Sequence, residues 1–122
     1  MSLADEIKKA IAAHGMWKNR LRGAVDTGKA DVTVDAAGKD NVCEFGKWLY
    51  GSTIPATAKS HPEYETVKKL HARFHQSAAK VLAAALGGKK TEAEAMLGNS
   101  AEFATVSGDL TRAMMAWQQK AK

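Results

Sequence analysis

A second cysteine is missing from this chain. Cys43 is the only one among 122 residues, so no internal disulfide can form, and a single thiol suits a reducing compartment. Long apolar runs are missing too. No stretch of about 18 apolar residues exists, so no segment is written to span a membrane. The start, Met1-Ser2-Leu3-Ala4-Asp5-Glu6, lacks the charged-then-apolar layout of a signal peptide. These absences point to a cytoplasmic location without membrane insertion. Dense basic runs are also lacking. The formal net charge is +5, but the cations are scattered: Lys8-Lys9, Lys18 to Arg22, Lys68-Lys69, Lys89-Lys90. Aromatic residues do not interleave with them, so nucleic acid is not an expected partner, and the charges read as solvated surface. Repeats, low-complexity runs and linkers are absent. The expectation is one domain over residues 1–122 with one core.

What is present is helical periodicity. Residues 2–25 read as one amphipathic helix. Ile7, Ile11, His14, Leu21 and Val25 share a face, and Gly15 is a weak interruption costing about 1 kcal/mol against alanine. Residues 26–39 read as a loop, because the alternating Asp31-Val32-Thr33-Val34-Asp35 has no partner strand. Residues 40–50 read as a short helix capped by Asp40 and ended by Gly51 in the left-handed conformation. Cys43 then falls in its first turn, where the helix dipole favours a thiolate. Gly46 inside this helix reads as a point of close approach. Residues 52–60 form a connection.

Ser60-His61-Pro62-Glu63 reads as a helix start with a serine cap, a first-turn proline and a capping box. This helix runs to Leu86 and stops at Gly87-Gly88. Tyr64, Val67, His71, Phe74, Ala78, Val81 and Ala85 form its apolar stripe, with Leu70, His75 and Leu82 beside it. His61 belongs to no stripe and reads as exposed. Residues 89–122 carry a last helical pattern through Met96, Phe103, Val106, Leu110, Met114 and Trp117, bent or broken near Gly98-Asn99-Ser100. The fold expected is all-α: an antiparallel bundle of three long helices, about 25–30 residues each, plus one short helix carrying the cysteine.

Four side chains in this pattern can ligate a soft metal: His14, Cys43, His71 and His75. His71 and His75 are four apart, hence stacked on one helix face. The four come from three helices that a bundle brings together, and a thiolate with three imidazoles is a tetrahedral set suited to zinc. Spacing leaves two readings open. Each residue can be an ordinary core residue, or all four can share one ion. Sharing removes the desolvation cost, about 1–3 kcal/mol each, of burying so many unpartnered polar groups.

Three blocks also match a known pattern. His14-Gly15-Met16-Trp17-Lys18, then Cys43-Glu44-Phe45-Gly46-Lys47-Trp48-Leu49-Tyr50, then His71-Ala72-Arg73-Phe74-His75 resemble the chemoreceptor zinc-binding domain family in order, spacing and residue type. The Cys43–Tyr50 block is the most specific part. The resemblance implies a helical bundle forming a homodimer, with zinc held by His14, Cys43, His71 and His75. It implies a sensor of zinc, or of oxidants such as hypochlorous acid through a redox-reactive Cys43. It also implies attachment to a chemotaxis receptor or a diguanylate cyclase output domain, and so a role in chemotaxis or cyclic-di-GMP signalling. No heptad signalling region or cyclase domain follows, so the chain is either a stand-alone protein or a piece of a larger receptor.

Several expectations follow. Four protein ligands close a tetrahedral zinc site and leave no position for a substrate water, which argues against a hydrolase, and the chain is not expected to be an enzyme. Oxidation of a zinc-bound Cys43 to sulfenic acid weakens its ligation and frees the short helix, which is the natural moving part. The alternative is a purely structural staple, with the bundle acting as an interaction or dimerisation module. A di-iron centre is disfavoured, since the positions three before His71 and His75 are Lys68 and Ala72 rather than glutamates. Nothing in the sequence supports a haem. Phe103, Met114, Met115 and Trp117 read equally as dimer surface or as core.

Overall fold

The computed structural model describes residues 3–30, 32–39, 43–52, 54–98 and 101–121. It is all-α, and no strand occurs among the described residues. The helices are α1 (Leu3–Gly15), α2 (Trp17–Thr27), α3 (Val34–Ala37), α4 (Glu44–Leu49), α5 (Ala56–Lys59), α6 (Pro62–Leu86), α7 (Lys90–Met96) and α8 (Glu102–Ala121). The bundle is built on α6, which packs against α2, α3, α5, α7 and α8; α8 also covers α1.

The apolar stripes explain this arrangement. On α6, Val67, Phe74, Ala78, Val81 and Leu82 are buried together with His71 and His75. On α8, Phe103, Val106, Leu110, Met114 and Trp117 recur every three or four residues and are all buried. A large apolar side chain withdrawn from water contributes about 1.5–3 kcal/mol, so this α6–α8 contact dominates the core. Phe103, Met114 and Trp117 are therefore core, whereas Met115 is exposed. Two glycines are required by backbone conformation. Gly28 (φ +72) closes α2 and Gly88 (φ +78) follows α6, both in the left-handed region that side chains avoid.

The elements differ from the sequence expectation in several places. The helix expected over residues 2–25 is divided at Met16 into α1 and α2, next to the weak point at Gly15. The segment read as loop contains α3. Thr33 caps it, its Oγ1 accepting from the Ala36 N–H at 3.1 Å. The connection over residues 52–60 contains α5. The final pattern, by contrast, is broken where expected, between α7 and α8.

Helix ends differ as well. The start of α6 is capped by neither Ser60 nor a capping box. His61 takes the N-cap position and Pro62 follows at N1, while the Ser60 hydroxyl donates to the Thr57 carbonyl at 2.6 Å in the preceding turn. His61 is half-buried, not exposed, and its Nδ1 is shielded from solvent. Gly51 does not end α4 in a left-handed conformation, since only Gly28 and Gly88 have positive φ among the described residues. Its need for glycine is steric: a Cβ there would lie 2.9 Å from the Lys47 carbonyl oxygen. Asp40, the expected cap of the short helix, lies outside the described residues, and the cap of α4 is Cys43 itself.

Candidate metal centre

Four donor atoms converge where α1, α4 and α6 meet. His14 stands in the last turn of α1, and His71 and His75 on successive turns of α6. Cys43 is the N-cap of α4 rather than a first-turn residue. Its sulfur takes the place a serine oxygen would occupy and accepts from the Gly46 N–H at 3.2 Å. A helix N-terminus stabilises negative charge, so the cap position favours a thiolate. His71 and His75 are fully buried, His14 nearly so, and Cys43 is half-buried.

The distances define a compact cluster. Cys43 Sγ lies 3.5 Å from His71 Nε2, 3.5 Å from His75 Nε2 and 4.0 Å from His14 Nε2. His71 Nε2 is 3.0 Å from both His14 Nε2 and His75 Nε2. All four ligand atoms lie within 4.8 Å of one another. A tetrahedral zinc ion with ordinary bond lengths has N···N edges of about 3.3 Å and S···N edges of about 3.6 Å. The two shorter sulfur edges, both 3.5 Å, match these values, the two N···N edges of 3.0 Å are somewhat tighter and the Cys43–His14 edge of 4.0 Å is longer.

The outer hydrogen bonds fix two of the imidazoles. His14 Nδ1 donates to the Ala10 carbonyl at 2.9 Å, and His75 Nδ1 donates to the Ala37 carbonyl at 3.0 Å. A proton on Nδ1 leaves a lone pair on Nε2, the nitrogen facing the cluster. His71 Nδ1 is buried and has no hydrogen-bond partner among the described residues. Burial disfavours charge on His14 and His71. Burial lowers the His14 pKa from 6.5 to about 4, against a raising effect of the Ala10 carbonyl and with a further lowering by His75. Burial, then His75, then His14 push His71 further down. Imidazoles with the inward Nε2 lone pairs of His14 and His75, beside a cysteine sulfur, suit a soft divalent cation.

Aromatic rings wall the cluster. Phe45 packs edge-on against His14 and His71, with centroids at 5.3 Å and 5.1 Å. Trp17 and Phe74 close the His75 side, at 5.4 Å and 5.5 Å. Sequence spacing located all four donors and the structure brings them together. It missed the supporting carbonyls. The Ala37 carbonyl lies on α3, which read as loop, although Thr33 ahead of Val34-Asp35-Ala36-Ala37 is a readable cap signal.

The family model of the chemoreceptor zinc-binding domain matches residues 14–82. The chain belongs to the chemoreceptor zinc-binding domain family. All four donor residues fall inside the matched segment of this zinc-binding domain, which begins at His14 and ends within α6; α7 and α8 lie beyond it. Zinc is the metal of the family, and the clustered set of three imidazoles and one cysteine sulfur suits it. No curated protein and no solved structure matches the chain. No helix of the described residues is long and apolar enough to cross a membrane.

Proposed function

We propose that His14, Cys43, His71 and His75 together hold one zinc ion, and that Cys43 is the ligand through which this domain senses oxidants. The observation that carries this reading is the double role of one sulfur. Cys43 Sγ meets the three imidazoles and also caps α4. Loss of ligation at that atom therefore acts directly on the position of a helix.

Bound zinc would keep the Cys43 sulfur as thiolate at neutral pH. Half-buried Cys43 is within reach of a small oxidant, unlike the imidazoles behind it. Hypochlorous acid transfers its oxygen to the thiolate, giving sulfenic acid and chloride, and the oxidised sulfur is a poorer ligand. α4 is six residues long and makes no extensive backbone packing against another helix among the described residues. Side chains hold it: Phe45 against His14 and His71, Trp48 against Trp117 with centroids 5.8 Å apart, and the Tyr64 hydroxyl donating to the Leu49 carbonyl at 2.9 Å. A shift of α4 is thereby felt at Trp117 on α8. The output would pass to a homodimer partner, or to an attached chemoreceptor or diguanylate cyclase domain, in chemotaxis or cyclic-di-GMP signalling.

The test compares the parent with Cys43→Ala. In the parent, hypochlorous acid changes the tryptophan fluorescence, because Trp48 rides on α4; in the variant zinc binds more weakly and the response is lost. An unchanged affinity together with an unchanged oxidant response would sink this reading. The full burial of His71 and His75 favours a second reading, a structural staple within an interaction or dimerisation module. Chelation separates the two. A sensor stays largely helical without metal and rearranges near α4, whereas a staple loses its cooperative fold.

A further inference from the structure

The three histidines are not supported equally. His14 Nδ1 donates to Ala10, one turn back on its own helix, so that acceptor moves with the ring. His71 Nδ1 has no acceptor among the described residues. His75 Nδ1 donates to the Ala37 carbonyl, which belongs to a different element, α3. Among the described residues, this support can be adjusted independently of the ligand's own helix, whereas that of His14 cannot.

What places that carbonyl is the docking of α3 on α6. A helix of four residues has no stability of its own, so its position comes from contact. Ala37 is fully buried. The next residue, Gly38, closes α3 with ordinary right-handed dihedrals, φ −79 and ψ −10, so glycine is not there for backbone freedom. It is there for proximity: a Cβ at Gly38 would lie 3.3 Å from the Ala79 Cβ, tighter than normal methyl contact. Ala79 is four residues after His75 and so stands one turn along the same face of α6. One short element therefore touches that face at two successive turns, with Gly38 on Ala79 and the Ala37 carbonyl on His75.

We propose that the close contact of Gly38 with Ala79 seats α3 on α6 and thereby positions the Ala37 carbonyl on His75, making this pair a determinant of zinc affinity outside the ligand set. The inference rests on the ligand reading above. Gly38 and Ala79 are positioning residues. A larger side chain at Gly38 lifts α3, takes the acceptor from His75 Nδ1, and removes the preference for a lone pair on Nε2. Loss of such an outer-shell partner typically weakens metal binding about 10–100-fold.

The experiment measures zinc affinity by competition with a chromophoric chelator for the parent, Gly38→Ala, Gly38→Val, Ala79→Gly and the double variant Gly38→Ala/Ala79→Gly. Ring ¹⁵N shifts report the His75 tautomer in each metal-free protein, and far-ultraviolet circular dichroism confirms the helices. Gly38→Val is expected to bind zinc about tenfold more weakly or worse, with His75 no longer fixed as the Nδ1–H form. Gly38→Ala shows a smaller loss. In the double variant the removed methyl restores the space, and affinity returns to within about twofold of Ala79→Gly alone, the limit of ordinary additivity.

Unchanged affinity in both Gly38 variants overturns the proposal. A weakened affinity with the His75 tautomer unchanged also overturns it, since that marks a general loosening. Should Gly38→Val fail to fold, the alanine variant and its rescue decide. A parent chain that binds no zinc refutes the ligand reading and the affinity claim with it; parental binding with unaltered Gly38 variants refutes the positioning role alone.

Discussion

Acidification destabilises the metal-free domain by an amount set by two buried imidazoles. In the unfolded chain each titrates near 6.5; in the folded chain burial holds His14 near 4 and His71 lower still. The unfolded state therefore takes up protons that the folded state refuses. The stabilisation is complete above about pH 7 and is lost as pH falls through 6.5 towards 4. Each imidazole contributes a slope of about 1.4 kcal/mol per pH unit in that window. For His14 the fall from 6.5 to about 4 amounts to about 3 kcal/mol, and His71 adds a similar loss over the same range. Against a total stability of about 5–15 kcal/mol for a domain, this is enough to unfold much of the population near pH 4.5. Urea denaturation followed by circular dichroism, with a chelator present, at steps between about pH 7.5 and about pH 4.5, reads the slope directly. A midpoint that stays constant across that range would refute the burial of neutral His14 and His71 in the metal-free fold.

Three substitutions test the packing around the site. Tyr64→Phe removes the donor to the Leu49 carbonyl; a loss of about 1–2 kcal/mol in urea unfolding is expected, with faster zinc release because α4 is less firmly held. Phe74→Ala empties a fully buried position between Trp17, His14 and Phe103, and costs about 3–5 kcal/mol by the same assay. Gly88→Ala forces a side chain into φ +78, costing about 1–2 kcal/mol without altering zinc affinity, since the turn lies past the C-terminus of α6, several helical turns beyond His75.

The long elements and the donors were legible in the sequence because both follow helical spacing. His71 and His75 are four apart inside an apolar stripe, His14 lies on the apolar face of α1, and Cys43 stands in a short amphipathic piece with Phe45, Trp48 and Leu49. The short elements were not legible, for a physical reason. A four-residue helix such as α3 or α5 has too few hydrogen bonds to declare itself locally; α3 exists through its contact with α6. Ser60 reads as the cap of α6, but its hydroxyl is engaged with the Thr57 carbonyl, a choice made by the preceding turn. Cys43 was placed one turn too deep because its sulfur does a serine's work, and capping preferences do not rank cysteine among the usual residues.

The central claim is that four residues hold one zinc ion and that Cys43 lets it go on oxidation. Elemental analysis of the purified protein, repeated after one equivalent of hypochlorous acid and desalting, tests it most directly. The account predicts close to one zinc per chain before treatment, with most of it lost afterwards. A protein without zinc at the outset, or one that keeps its full zinc content after Cys43 is oxidised, would contradict it.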